Sequence, residues 1–466
     1  MLNPDKAADI FDRIKKHSTA DEVEVLFSGG KSALTRFANN IIHQNVAEEN
    51  YVISVRTAFG GRTARSTTNK LDDESLKRVV QSSERLAKVQ HPDADLLPIP
   101  DPSGAGILAR EGLPTRHFAE TAAITPVQRA ETVKKIVSIA EKHKLTTAGI
   151  VSTSETVEAV FNSRGLADWH TQTSSEISIT MLAPDSSGWQ KANSPNVANL
   201  NAAVLAEIAA RKAFESATPR EIPAGKYTVI LEPAAVLDIV GFMFFDFGGL
   251  SILDQRSFLN NRVGTKLFGE NINIWDDVAH PLQSGTPFDG EGVRRQKVQL
   301  VENGVVKRLV YARATAEKMK RSEYKDKVGS IGPTGHGFPL PNEMGEAPMN
   351  IVFGTSSEPK SVDQSVDQMI VSTERGVLVT RLWYIREVDP YEKILTGMTR
   401  DGTFYLEDGK VRHGVRNFRF NQSLIQMLSN VEAMGTPVRA SGEESFDMVV
   451  PAMKVRDFNF TEVTKF

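Results

Sequence analysis

Nine histidines and no cysteine bound the chemistry open to this 466-residue chain. The histidines are His17, His43, His91, His117, His143, His170, His280, His336 and His413. No two lie three to five residues apart, so neither a zinc-binding helix nor a Cys2His2-type site can be written. The lack of cysteine excludes disulfides, thiolate metal sites and a Cys nucleophile. Three distant histidines can still converge in a fold, but each alone reads as a surface or loop residue. Gly30-Lys31-Ser32 carries the last three residues of a phosphate-binding loop motif, but Val25 stands where the leading glycine belongs. The segment also joins two strand-like runs, and it reads as a hairpin turn. No Gly-x-Ser-x-Gly elbow occurs. Asp289 and Glu291, in Pro-Phe-Asp-Gly-Glu-Gly, are paired acids with two open roles. One is acid–base work; the other is holding a loop by accepting backbone N–H bonds. The structural role is favoured, because nothing else catalytic lies close in sequence. Arg294, Arg295, Lys297, Lys307 and Arg308 crowd one predicted hairpin. At a net charge of −3 they read as a solvated face rather than a phosphate site.

The stretch from Gly225 to Arg262 positions the most distinctive element. Tyr227–Leu231 is a β-branched, apolar run that predicts a buried strand. Pro233 suits the first turn of a helix. Leu237, Val240, Phe244 and Phe247 recur at helical spacing, and Gly248-Gly249 supply a stop. Ile239, Phe242, Met243 and Phe245 fill most other faces, which predicts a helix buried in a large domain. It has no His and no Glu; its acids are Asp238 and Asp246.

The length suggests two or three domains. Hydrophobic residues make up 40% and charged residues 24%, an ordinary soluble composition. The small net charge gives no pull toward nucleic acid or an anionic membrane. The first residues lack an apolar h-region, and the apolar run Val229–Leu250 is broken by Glu232, Pro233, Asp238 and Asp246. A signal peptide and a membrane span are therefore not expected, and a cytoplasmic location is.

The pattern predicts an α+β chain. Residues 5–17 read as a helix. Short strands follow at Glu22–Phe27, Ser32–Phe37, Ile41–Val46, Tyr51–Ala58 and Thr63–Ser66. Turns are expected at Ser28-Gly29-Gly30, Asn39-Asn40 and Gly60-Gly61. A helix spans Asp72–Val89, and residues 91–118 read as a long loop or flap. After a helix at Pro126–His143, strands return at Gly149–Ser154, Glu158–Asn162, Trp169–Thr173, Glu176–Met181 and Ser187–Lys191. A helix over Asn201–Ser216 closes the set. Residues 5–90 and 126–216 thus repeat one plan, two meander-plus-helix units, with Phe37 and Phe161 matching at an offset of 124 (161 − 37). Duplication and mere likeness of two such units both remain open. The expected division is an N-terminal α/β domain, 1–218, and a mostly β, barrel-like C-terminal domain, 219–466, around the buried helix. In the latter, Asn303-Gly304 and Asp408-Gly409 predict hairpins. Gly376–Val388 predicts a long strand, with Trp383 and Tyr384 favoured as core.

A series of short motifs in the C-terminal half resembles the TldD/PmbA family, a metallopeptidase family also named for modulation of DNA gyrase. They are Ser257-Phe258-Leu259 with a helical Val263-Gly264 segment, Pro287–Val293, Val301–Lys307 with Tyr311, and Thr334-Gly335-His336-Gly337. Pro348-Met349-Asn350, Gly376–Arg381 and Thr396–Phe404 complete the series. The resemblance implies a two-domain subunit that dimerises around a proteolytic chamber. It implies that catalytic, TldD-type members carry His-Glu-x-x-x-His on the buried helix and a distant Cys, for zinc. Here the helix reads Val236-Leu-Asp-Ile-Val-Gly-Phe-Met-Phe-Phe-Asp. The chain therefore resembles the PmbA (TldE) type, for which no catalytic or metal residues and no cofactor of its own are expected. The implied partners are a TldD-type paralogue that supplies zinc, or a second copy, and an unfolded or extended peptide. No nucleic-acid pattern supports gyrase modulation. A stand-alone homodimeric binding or regulatory protein is the alternative. A hydrolase using Asp238, Asp246, Asp254 or His336 is a third, weaker possibility. His336, Asp289, Glu291, Arg400 and Asp401 are the candidate substrate-contacting residues. Strand Gly376–Val388 and the loop around His336 are a candidate wall for strand addition by a peptide.

Overall fold

The structure is a computed structural model that describes residues 2–103, 113–354 and 364–464. The centre of the expected 91–118 loop, 104–112, lies outside the described residues. The chain begins with helix α1 (Pro4–His17), capped by the Asn3 side chain, which accepts the Lys6 N–H. Its buried stripe is Ala7, Ile10, Phe11 and Ile14, each large side chain contributing roughly 1.5–3 kcal/mol on burial. Strands β1 (Glu22–Ala38), β2 (Ile41–Phe59) and β3 (Arg62–Thr68) form a meander, followed by α2 (Asp73–Val89). After the short α3 (Ala119–Ala122), α4 (Pro126–Lys142) opens with a Thr125–Gln128 capping box. The second meander is β4 (Thr146–Asn162), β5 (Ala167–Leu182) and β6 (Ser187–Ser194), and α5 (Ala202–Glu215) ends the half.

The six strands make one antiparallel sheet in the order β3-β2-β1-β4-β5-β6. β1 and β4 are each 17 residues long and begin 124 residues apart (146 − 22). Lys31 pairs with Glu155, again 124 apart, so that pair marks a local pseudo-twofold centre. Apolar clusters form under each meander, one around Ile10, Phe27 and Val80, the other around Ile136, Ile179 and Ala209. α5 presents Ala206, Ala209, Ala210 and Ala213 to the sheet. A Cβ on Gly188 would stand 2.1 Å from the Ala209 carbonyl.

The expected turn at Ser28-Gly29-Gly30 is absent: β1 runs straight through it, paired on both sides. Gly29 and Gly30 have φ of +122° and +150°. A Cβ there would meet the carbonyls of Asn50 and Glu155 at 2.3 and 2.0 Å. The glycines let neighbouring backbones approach, which is a strand use of the residue rather than a turn use. Likewise Ile41–Val46 and Tyr51–Ala58 merge into β2, and the paired short strands expected in the second unit merge into β4 and β5. The turns at Asn39-Asn40 and Gly60-Gly61 do form, each with two positive φ values.

The C-terminal half begins with β7 (Gly225–Leu231) and α6 (Pro233–Val240), continues as a 3-10 turn over Gly241–Phe247, and then α7 (Gly249–Leu253). The expected single helix therefore changes pitch at Gly241, where a Cβ would collide with Ser445 Oγ at 1.9 Å. The expected helical Val263-Gly264 segment is a turn, with Gly264 at φ +82°. β8 (Asn273–Asp276), β9 (Val298–Glu302), β10 (Val305–Val306), α8 (Arg313–Arg321) and β11 (Ile351–Gly354) follow. The remaining strands are β12 (Arg375–Asp389), β13 (Ile394–Glu407), β14 (Lys410–Gly414), β15 (Phe418–Ser423), β16 (Val431–Met434), β17 (Val438–Ala440), β18 (Met448–Val450) and β19 (Met453–Val463). β12, β7, β19, β15 and β13 pair in a ring, a closed five-strand barrel. A second sheet has the order β10-β9-β8-β11-β18-β17. Barrel residues Val229, Val377 and Phe420, helix residues Val236 and Ile239, and sheet residues Ile274 and Leu300 share one core. Among the described residues no helix is long and apolar enough to cross a membrane.

Candidate functional site

Alpha-helix α6 occupies the place where the family resemblance puts chemistry. Ala235, Val236, Leu237, Ile239 and Val240 are buried, as are Met243, Phe244 and Phe247 in the following turn. Phe245 alone among the large side chains of this turn is well exposed, and it stacks on Phe338 at 6.3 Å. The two carboxylates are already engaged. Asp238 Oδ1 accepts the backbone N–H groups of Glu443 and Glu444 at 3.1 and 3.2 Å, and Oδ2 that of Leu382 at 3.4 Å. Burial pushes its carboxyl up to about 6, against those backbone donors. Asp246 Oδ2 accepts from Lys393 Nζ at 2.5 Å, and Oδ1 from the Phe258 N–H at 3.2 Å. Burial also raises this carboxyl, while Lys393 opposes the rise. Asp254 lies at the surface against Arg256. Among the described residues no three His, Asp or Glu side chains gather as a metal site would require. Zinc, which the family implies, does not fit the residues of this stretch: they offer packed hydrocarbon and two carboxylates already held by backbone N–H groups and Lys393.

Of the five candidate substrate contacts, three meet in one buried knot of loops. Asp289 Oδ1 accepts the N–H groups of Glu291 and Val293, both at 2.9 Å, and Oδ2 that of Gly337 at 2.7 Å. Glu291 Oε2 accepts the Arg313 N–H at 3.0 Å, at the start of α8. His336 is 1% exposed. Its Nδ1 lies 2.9 Å from Thr334 Oγ1 and its Nε2 2.9 Å from Asp276 Oδ1. Asp276 Oδ2 accepts the N–H groups of Met349 and Asn350. Burial would raise Asp276, yet the facing His336 holds it below the usual carboxylate range. Burial and the neighbouring Asp289 push Glu291 up to about 8, and burial raises Asp289 as well. The surface or loop reading of His336 is thus corrected: its loop is folded into the core, where the side chain meets Thr334 and Asp276. His170 is also largely buried, and loss of solvent lowers it to about 4.

Arg400 and Asp401 sit elsewhere, on β13 against the N-terminal half. Asp401, at φ +52°, pairs with Arg381 and accepts from Ser187 Oγ at 2.6 Å. The Arg381 guanidinium lies over both Trp189 and Trp383, at 4.7 and 5.6 Å, and Arg400 lies 4.8 Å from the Trp383 ring. Tyr384, expected in the core, is 56% exposed, because β12 bulges between Trp383 and Arg386. The proposed strand-addition wall is also corrected. Gly376–Val379 is paired on both sides within the barrel, and the N–H groups of Tyr384 and Ile385 donate to Glu444. The basic cluster does not form one solvated face: Arg294 pairs with buried Asp168, Lys297 with Asp277, and Lys307 with Glu302.

The seam between the two halves was not visible in sequence. Arg65 bridges buried Glu24 and the Leu340 carbonyl. Arg116 donates to the carbonyls of Val278, His280 and Pro281. Lys212 pairs with Glu232, at the start of α6, at 2.6 Å. The partners of Arg65 and Arg116 across the seam lie more than 150 residues away, with no local signal.

Residues 224–462 match the family model described as the PmbA/TldA metallopeptidase C-terminal domain, and 23–87 match domain 1 of that family. The chain is 20% identical to metalloprotease PmbA of Escherichia coli O157:H7, covering 94% of this chain and 92% of that one. It is 24% identical over 321 residues to a metalloprotease of Methanothermobacter thermautotrophicus, a match that spans 65% of that relative's length. In fold it is similar to TldE from Thermococcus kodakarensis, with TM-score 0.83 and 19% identity, covering 98% of this chain and all of that one. A Thermotoga maritima protein described as a proposed modulator of a DNA gyrase aligns with TM-score 0.82 and 19% identity, covering 98% of this chain and 100% of that one. With the C-terminal family domain spanning more than half its length, the chain belongs to the PmbA/TldD metallopeptidase family.

Proposed function

We propose that this chain is a non-catalytic, PmbA/TldE-like subunit of a cytoplasmic metallopeptidase complex acting on unfolded or extended peptides, with a TldD-type partner supplying zinc. The observation that carries this reading is the filling of α6. Val236, Ile239, Val240, Met243 and Phe244 along this stretch are all 0% exposed and packed, so none of them presents a ligand. Both carboxylates on this stretch instead fasten loops. The paired acids Asp289 and Glu291 hold a loop knot in the same way, so they too offer structure rather than proton transfer. The chain's contribution is then shape: a rigid wall beside a partner's reactive centre.

The test is to express the chain alone, expose it to zinc, desalt it and measure retained metal, then repeat with a co-expressed paralogue bearing His-Glu-x-x-x-His. The expected result is no retained zinc alone, co-elution with the paralogue, and peptide hydrolysis only by the pair. Near-stoichiometric zinc on the chain alone, or hydrolysis by it alone, refutes the proposal.

A further inference from the structure

Over the second meander, α4 and the start of α5 part and leave a cavity of about 550 Å³. That volume is in the range of small-molecule sites. Val151 and Thr153 of β4 and Ser175 and Ile177 of β5 form its floor. One acid, Glu176, also borders it, but Glu176 alternates with Ser175 and Ile177 along β5. Its carboxylate turns instead to Lys191, 3.4 Å away.

The charge lining this cavity is positive. Arg129 of α4 borders it and is only 2% exposed. A guanidinium carries five N–H groups. Three of them meet Thr35 Oγ1, the Ile124 carbonyl and Asn45 Oδ1, at 3.3, 3.3 and 3.1 Å. All three acceptors are neutral. Among the described residues no carboxylate pairs with Arg129, and two of its N–H groups have no acceptor. Burial lowers the guanidinium, and no acid offsets the cost. A charge taken out of water calls for a counter-charge. Exposed Lys135, one face further along α4, adds a second cation at the rim. The third positive group is the start of α5. Asn201 Oδ1 accepts the Val204 N–H, but the Ala202 and Ala203 N–H groups have no partner within the helix. Both residues line the cavity, and the first turn of α5 holds no acid.

The first meander unit, built on the same plan, does without these features. With the N-caps Asn3 and Thr125 aligned (125 − 3 = 122), Arg129 falls on Ala7 (129 − 122 = 7), which is 0% exposed. Its second helix, α2, opens with Asp72, Asp73 and Glu74, which offset the helix dipole. The plan therefore packs without a buried cation, and folding alone does not call for Arg129. We propose that the cavity binds a small organic anion, a carboxylate or phosphate head on an apolar body. The head lies against Arg129 and the α5 N-terminus, and the body covers Val151, Ile177 and Leu200. Such a ligand supplies the counter-charge that the fold withholds. The site is built from the N-terminal half alone and does not rest on the peptidase reading.

The test is calorimetric titration of the full chain at low ionic strength with four probes of equal apolar length: hexanoate, hexyl phosphate, hexanol and hexylammonium. Hexanoate or hexyl phosphate should bind saturably, one per chain, and the tighter of the two names the head. Hexanol and hexylammonium should bind far more weakly. Two variants locate the site. R129M removes the buried charge and should abolish binding, with circular dichroism checking the fold. A203D carries the test even where R129M unfolds. An acid in the first turn favours the helix, so A203D should melt no lower than the parent chain. The same carboxylate repels the anion, and the Kd should rise about tenfold or more. Binding of neither anion, hexanol binding as well as the anions, or an undiminished affinity in A203D overturns the proposal. None of these outcomes touches the metal and co-elution test of the proposed function.

Discussion

Replacing Glu291 by Gln tests whether the paired acids hold the fold or work on a proton. Glu291 is 3% exposed, and burial with Asp289 beside it raises its carboxyl from 4.5 to about 8. A raised carboxyl favours the folded state when protonated. Its contribution is therefore fully present below about 4.5, declines as pH rises, and is gone above about 8. At about 1.4 kcal/mol per tenfold, the ceiling is about 5 kcal/mol between those limits. The neighbouring Asp289 titrates with it, so the pair shares one response, and a change of about 2–3 kcal/mol is expected. Gln copies the protonated form and keeps an acceptor for the Arg313 N–H. Urea unfolding followed by Trp fluorescence at pH 5, 7 and 9 is the assay. The parent chain should lose stability steadily across the series. E291Q should fall less steeply than the parent, since Asp238 and Glu158, raised to about 6 and about 7 by burial, still titrate; it should lie within about 1 kcal/mol of the parent at pH 5 and be more stable than it at pH 9. A parent chain indifferent to pH, or an E291Q variant that tracks it, would mean that Glu291 is not titrating inside the core, and the acid–base role would reopen.

Two further substitutions probe the backbone and the Asp246 carboxylate in the turn after α6. Gly30→Ala places a Cβ 2.0 Å from the Glu155 carbonyl at φ +150°, so it should cost at least ~2 kcal/mol and loosen the β1–β4 pairing; hydrogen exchange along β1 reads this directly. Lys393→Met strands the Asp246 carboxylate in the core and should cost about 3–5 kcal/mol. Adding Asp246→Asn in the same chain should recover much of that loss, and a denaturant series on the double variant checks it.

The legible parts of this fold are those decided within a few residues. Asn39-Asn40, Gly60-Gly61, Asn303-Gly304 and Asp408-Gly409 all adopt the positive φ values their chemistry favours. The helix starts at Pro4, Thr125-Pro126 and Pro233 follow from caps and proline alone. Gly29-Gly30 was misread because glycine serves a turn and a close strand approach equally well. The deciding atoms, the Asn50 carbonyl for Gly29 and the Glu155 carbonyl for Gly30, lie 21 and 125 residues further on (50 − 29 and 155 − 30). His336 was misplaced for the same reason: nothing near it in sequence announces Asp276, sixty residues earlier, as its partner. Tyr384 escaped the core because a bulge broke the strand alternation, and a bulge is set by pairing with β13 rather than by the residues inside it.

What a carboxylate can do depends on which of its lone pairs are still open, and that decides the standing of α6. Sequence could show that Asp238 and Asp246 were the only acids of α6 and the turn after it, but not whether they were available. In the fold, Asp238 spends its oxygens on three backbone donors drawn from two separate segments, Leu382 and Glu443–Glu444. Asp246 spends its own on Lys393 and the Phe258 N–H. Freeing Asp238 would leave buried N–H groups unpaired, and freeing Asp246 would leave the Phe258 N–H unpaired and Lys393 with Glu387 alone as its acid partner, each a penalty of about one to several kcal/mol. The same groups that tie β12, the Glu443–Glu444 loop and the Phe258 turn to α6 therefore work against metal binding there. In this chain α6 and the turn after it are a fastening point of the core, and the groups that make them so are the ones a ligand would have to displace.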